Sequence, residues 1–288
     1  MSTNVELIVN AINGLKNDGD IVKDYIFPIA SSFISASLGV VAAKLTFRQQ
    51  EKLKNEITKV NLINKVIISM GEARGALLAI KHNYKDLTQT HFIARALEIP
   101  PIIIDDFKLV NNANELSFLV GDEKDYDDVG YQMSWANILR ISMMINNCNH
   151  IYVVLKKRNE LWVDLMEKIS SYKKEIKHNE GENISYEMLV DACGEMELIA
   201  LCDLTERFVS FLDDILFEVN DFMFNFPELA GKKVDKKIIK GHVKVLKYQD
   251  DKVEIKRTIA PDYDVISTYM DMSVEEVKAR YDNGYKRN

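Results

Sequence analysis

The sequence predicts an all-α protein: a single transmembrane helix continuing into a cytoplasmic antiparallel helical bundle, with a small C-terminal β-hairpin. Three observations carry that expectation. Tyr25–Ala43 is a run of nineteen residues without a charge. Over Leu53–Ile80 apolar residues recur at steps of three, four and seven, the spacing of one helix face, and Met133–Tyr172 and Ser185–Phe222 likewise carry an apolar helix face. Five prolines and 12 glycines in 288 residues leave little material for long structureless linkers.

The uncharged run, YIFPIASSFISASLGVVAA, would span about 28 Å as a helix, close to the thickness of a bilayer's hydrocarbon layer. Pro28 falls in its first turn, where a missing N–H costs no hydrogen bond. Lys44 stands at the other edge, with a stem long enough to snorkel. The competing reading is a buried helix of a soluble core, which the serines of this run favour. A core helix, however, usually carries a charged stripe, and this one has none.

The flanks suggest an orientation. Lys16 and Lys23 face Glu6, Asp18, Asp20 and Asp24 on one side; Lys44, Arg48, Lys52, Lys54 and Lys59 outweigh Glu51 and Glu56 on the other. The positive-inside bias then leaves the N-terminus outside and the C-terminus in the cytoplasm. A cleaved signal peptide fits poorly, because the apolar run starts late, follows an acidic segment and lacks an A-x-A site. The expected segments are an external 1–24, a transmembrane helix 25–47, a helical stalk and bundle 48–230, and a basic hairpin with a tail helix 231–288.

A net charge of −7 disfavours nucleic acid as a partner for the whole surface, while a local patch can still bind. Cys148, Cys193 and Cys202 form no C-x-x-C pair, as expected of reduced, mostly buried thiols. No repeat and no low-complexity tract is present.

In chain order, residues 4–16 read as a short amphipathic helix ending at Asn17-Asp18-Gly19-Asp20. Beyond the apolar run the helical pattern continues to Ile80, with Gly71 and Gly75 suggesting a close backbone approach. Glu72 and Arg74 between them read as exposed charges. Pro100 and Pro101 end any helix before them, and Ile102–Ile104 are expected to pack on the bundle as a loop. A partner-binding or membrane-dipping element is the alternative there. Asn112–Val120 reads as a short helix and Gly121–Asp128 as a solvated acidic loop that lacks EF-hand spacing. Long helices follow over Met133–Tyr172 and from the N-cap Ser185 to before Pro227. Ser273 caps a last short helix to about Tyr281.

Residues 232–258 carry ten Lys/Arg against four Asp/Glu. Val243, Val245, Val253 and Ile255 alternate about 249–252, which suggests the hairpin. It reads either as a solvated hairpin or as a site for an anionic partner through Lys236, Lys237, Lys240, Lys244 and Arg257. The five histidines show no metal-ligand spacing, and no P-loop, dinucleotide fingerprint, G-x-S-x-G or kinase signature occurs. No enzyme, cofactor or metal is therefore expected. Within the apolar run, Ser31, Ser35, Gly39 and Ala43 form a small-xxx-small stripe that would let membrane helices associate.

The apolar run with LTFRQQEKLKNE (45–56), EARGALLAIKHNY (72–84), RALEIPPIII (95–104) and ELSFLV (115–120) resembles bacterial anti-phage defence membrane proteins of the retron-associated transmembrane effector type. The resemblance implies a single-pass inner-membrane effector of abortive infection, restrained until infection and then perturbing the membrane as a homo-oligomer. It also implies a reverse transcriptase–RNA–DNA complex, or another anionic cytosolic partner, besides the lipid bilayer. The alternative is a membrane-tethered scaffold or sensor whose bundle recruits a cytosolic partner.

Overall fold

The computed structural model describes residues 6–7, 9–10, 25–103, 108–121, 129–176, 184–249 and 254–284. In order, the helices are α1 (Phe27–His82), α2 (Phe92–Glu98), a 3-10 helix (Ala113–Leu119), α3 (Val129–Gln132), α4 (Ile138–Glu175), α5 (Tyr186–Cys193), α6 (Glu195–Gly231), α7 (Tyr263–Met270) and α8 (Val274–Arg280). The chain divides into two units. One takes in residues 1–58 and 236–242, the other 59–235 and 243–288.

In the described residues of the first unit, the α1 segment is exposed along nearly its whole length, with Phe27, Phe33, Val40 and Phe47 each about two-thirds bare or more. Its hydroxyls turn back on the helix: Ser31 and Ser32 both donate to the Pro28 carbonyl, at 2.9 and 2.8 Å, and Thr46 to Ala42 at 2.9 Å. Such back-bonding removes the cost of carrying a hydroxyl into an apolar medium.

The second unit is a bundle centred on α6, whose buried face runs from Leu198 through Leu212, Val219 and Phe226 to Ala230. Partners along α4 rise in number as those along α6 fall: Trp135 with Asp221, Arg140 with Glu218, Arg158 with Thr205, Lys168 with Glu197. Lys81 with Asp213 and Arg74 with Asn220 show the same reversal between α1 and α6. Both α1 and α4 thus run antiparallel to α6 and parallel to each other. A long crossover, residues 83–137, joins them and carries α2, the 3-10 helix and α3. Val60, Ile63, Met70, Leu77 and Ile80 are the buried stripe of α1 in this unit, and a second cluster joins Phe92, Leu165, Leu201, Ile266, Val277 and Tyr281.

Several boundaries differ from expectation. Gly194, at φ 84°, divides the helix expected from Ser185 into α5 and α6, because this left-handed conformation breaks the ladder and suits glycine. Pro227 lies inside α6 and is buried; it sits in the final turns, where its one missing bond is set against apolar packing. Arg74 is buried, donating to Asn220 at 3.0 Å and stacking 5.2 Å above the Tyr248 ring. A side chain at Gly71 would meet Met223 at an ordinary 3.5 Å, and one at Gly75 nothing, so neither marks a close backbone approach. The Pro100-Pro101 segment does end α2, with Ile99 extended at ψ 111° and Ile99 and Ile102 buried, while Ile103 is exposed.

The β-hairpin is not formed: no strand occurs among the described residues. Two of its backbone groups pair with a helix side chain instead. Asn64 Nδ2 donates to the Lys244 carbonyl at 2.9 Å, and the Leu246 N–H donates to Asn64 Oδ1 at 2.8 Å. Farther on, the Thr258 N–H donates to Asp213 at 2.6 Å, and Arg95 donates to the Ile259 carbonyl at 2.9 Å. Half-burial on helices produces the same apolar alternation as cross-strand pairing. The centre of the supposed turn, 250–252, lies outside the described residues, as do Ile104, residues 122–128 of the acidic loop and most of the 4–16 segment.

Candidate functional site

Ser31, Ser35, Gly39 and Ala43 all lie exposed on α1, and a side chain built at Gly39 would meet nothing within 4 Å. The stripe is therefore open on the single chain. Because Ser31 already bonds to Pro28, its contribution to any helix contact is small size rather than a hydrogen bond. The window of α1 that is apolar enough to cross a membrane has a mean hydropathy of 1.5 and is 0% buried. That separates it from the core helix of a soluble protein, which would be covered.

The basic residues divide between the units. Lys236, Lys237 and Lys240 are exposed in the first; Lys244 is exposed in the second. Arg257, also in the second, ion-pairs at 2.5 Å with the buried Asp214 and lies 4.8 Å above the Phe217 ring. Its charge is already met within the chain.

The densest polar arrangement was not legible as a site in the sequence. It is a seam along α6: Asp203, Glu206, Ser210, Asp213 and Asp214, at steps of three and four that put them on one side of the helix. Arg280 grips Asp203 with two donors at 2.7 and 2.8 Å, and the Tyr281 hydroxyl donates to it at 3.1 Å. Arg95 grips Glu206 likewise, at 2.6 and 3.0 Å, with both side chains almost fully buried. Ser210 donates to the Tyr281 carbonyl at 2.8 Å. Lys81 and the Thr258 N–H bond to Asp213, and Arg257 and Asn283 to Asp214. A cleft open to solvent lies against this seam, lined among others by Arg95, Glu206, Asp213, Arg257, Tyr263 and Tyr281.

Burial pushes the Glu206 carboxyl above the ordinary glutamate range, and Arg95 only partly offsets it. Burial also raises Asp203, but the Arg280 hydrogen bonds and the charges of Arg207 and Arg280 outweigh that and hold it low. The Tyr281 phenol is raised by burial and by Asp203. Tyr84, buried beside the seam, is raised by burial and then by Asp213.

Next to the seam, Arg158 is fully buried without a carboxylate. It donates to the Pro100 carbonyl at 2.9 Å, to Ala96 at 2.8 Å and to Ile99, and to the Thr205 hydroxyl at 3.3 Å. The carbonyls at the end of α2 carry the partial negative charge that neutralises it. Burial lowers its pKa to about 10, still charged at neutral pH. Asn159 completes the clamp by bonding both backbone groups of Ile102. The two arginines thus fix residues 89–102 onto α6.

Among the described residues no three His, Cys, Asp or Glu side chains are placed to hold a metal ion. Comparison with known families, with characterised proteins and with solved structures yields no match for the chain.

Proposed function

We propose that the chain is a single-pass protein of the bacterial inner membrane, with its N-terminus outside and its bundle in the cytoplasm. In this reading it is an effector of an anti-phage system that perturbs the membrane by oligomerising through the stripe Ser31, Ser35, Gly39 and Ala43. One observation carries the membrane assignment: the uncharged part of α1 is wholly uncovered, though it is among the most apolar stretches of the chain. Water does not favour such a surface, whereas lipid and a second copy of the helix do. The bundle holds the effector in check, and an anionic cytosolic partner, such as a reverse transcriptase–RNA–DNA complex, engages exposed lysines: Lys236, Lys237 and Lys240 on the first unit and, separately, Lys244 on the second. The reading needs no catalysis and no cofactor.

The test is expression of the full chain without its genetic neighbours, beside Gly39→Ile. The substitution adds apolar surface, which favours the membrane, yet blocks backbone approach. The expected result is arrested growth with the native chain, and loss of both arrest and cross-linked oligomer with Gly39→Ile at unchanged membrane level. Harmless expression of the native chain would instead support a membrane-tethered scaffold recruiting a partner through its bundle.

A further inference from the structure

Residues 257–262 cross the α6 seam without regular secondary structure, and apart from Arg257 stacking over the Phe217 ring the contacts that hold them are hydrogen bonds and an ion pair. Arg257 reaches Asp214, the Thr258 N–H reaches Asp213, the Ile259 carbonyl accepts from Arg95, and the Asp262 N–H donates to the Thr90 carbonyl at 2.8 Å. Ile259, the segment's large apolar side chain, is 47% exposed. Thr258, Ile259, Ala260 and Pro261 themselves line the solvent-open cleft at the seam. The neighbouring α7 and α8 are held otherwise, with Ile266 and Val277 fully buried and Tyr281 nearly so.

We propose that residues 257–262 form a displaceable strap, an internal ligand that closes the α6 seam and can leave it while α7 and α8 stay docked. The seam reads the strap as it would read any extended basic segment: a carboxylate for the arginine, a second carboxylate for a backbone N–H, and Arg95 for a backbone carbonyl. Leaving costs little apolar burial, since Ile259 is half bare already. What opposes it is polar: the hydrogen bonds with Asp213, Arg95, Lys81 and Thr90, and the ionic contact at Asp214, whose partner Arg257 is 32% exposed and therefore within reach of solvent ions. Local opening of this kind is set by the few contacts the segment makes and not by global stability. Once vacated, the seam presents Glu206, Asp213 and Asp214 against Arg95 and Lys81, a net acidic slot lined by the cleft. The inference stands on the bundle alone and is independent of the membrane reading.

Amide hydrogen exchange of the full chain in detergent tests it, at low and high sodium chloride. The expected result is that the hydrogen-bonded amides of the strap, Thr258 and Asp262, exchange at least about tenfold faster than the helical amides of 263–280, and faster still at high salt. Arg257→Ala should speed the strap by about tenfold more while 263–280 is unchanged. Because that variant leaves the buried Asp214 without the Arg257 cation, with Asn283 still bonded to it, Arg257→Gln with Asp214→Asn is the second arm. This neutral pair should fold and lose the salt dependence. Strap and α7–α8 amides exchanging in step, or a salt response that survives in the neutral pair, would overturn the proposal.

Discussion

Along α1, the residues between Phe27 and Phe47 and those between Val60 and Ile80 are similarly rich in apolar side chains but differ in exposure: Phe33 is 71% exposed, Met70 and Leu77 not at all. The difference lies in how charge is placed. The second stretch interrupts its apolar residues with Asn61, Lys65 and Glu72, all exposed on one side, which leaves the opposite face for α6. The first is apolar around its full circumference up to Lys44, so no single face is marked for a neighbour. One helix thus holds a stretch built for a protein core and a stretch that no part of a water-soluble surface requires.

The largest expected effect is at the bundle's buried ion pair. Arg95→Leu leaves Glu206 buried without its cation and should destabilise the bundle by about 3–5 kcal/mol in chemical denaturation of the detergent-solubilised chain. Adding Glu206→Leu should restore much of that loss, since a buried pair often adds little over an apolar one. Failure of the double variant to recover would mean that the pair itself, and not relief of an unpaired charge, carries the stability.

Matched truncations bear on the two stretches directly. Ile63→Ala removes a fully buried side chain and should cost about 2–5 kcal/mol. Ile34→Ala, 61% exposed in the same helix, should leave bundle unfolding within about 0.5 kcal/mol. Equal losses at both would show that residues 27–47 are covered by protein.

A smaller effect concerns the thiols. Burial pushes Cys148 up to about 12 and raises Cys202 further, while Cys193 is raised less. Native Cys148 and Cys202 should therefore resist maleimide at pH 8 and react on unfolding. The native state keeps the Cys148 proton where an unfolded thiol has lost it. Its contribution to stability is therefore full below about pH 8.5 and declines as pH rises toward 12. Cys148→Ala should flatten that alkaline decline; an unchanged slope would place its origin elsewhere.

How much of this was readable beforehand follows from what each residue type signals. The long helices were legible, because a 3.6-residue apolar period is local information. The break at Gly194 was hidden, since the apolar spacing passes across it undisturbed. Alternation at 243–255 reads as a hairpin because Asn64, which bonds the backbone at Lys244 and Leu246, is far away in sequence. The α6 seam was missed for the same reason: Asp213-Asp214 and Glu206 look like the solvated face of an amphipathic helix until Lys81, Arg95 and Arg257 arrive from distant segments. Arg158 carried no sequence signal at all, because its partners are main-chain carbonyls.

The claim on which the functional reading depends is that residues 27–47 of α1 lie in lipid. Alkaline carbonate extraction of membranes from cells expressing the full chain, beside Val40→Lys, tests it most directly. A lysine at the middle of the span costs about 2.5–3.5 kcal/mol of insertion free energy. The account predicts that the native chain stays in the membrane pellet until detergent is added, and that Val40→Lys shifts a large share to the soluble or degraded pool. Recovery of the native chain in the detergent-free supernatant, unaffected by Val40→Lys, would contradict it.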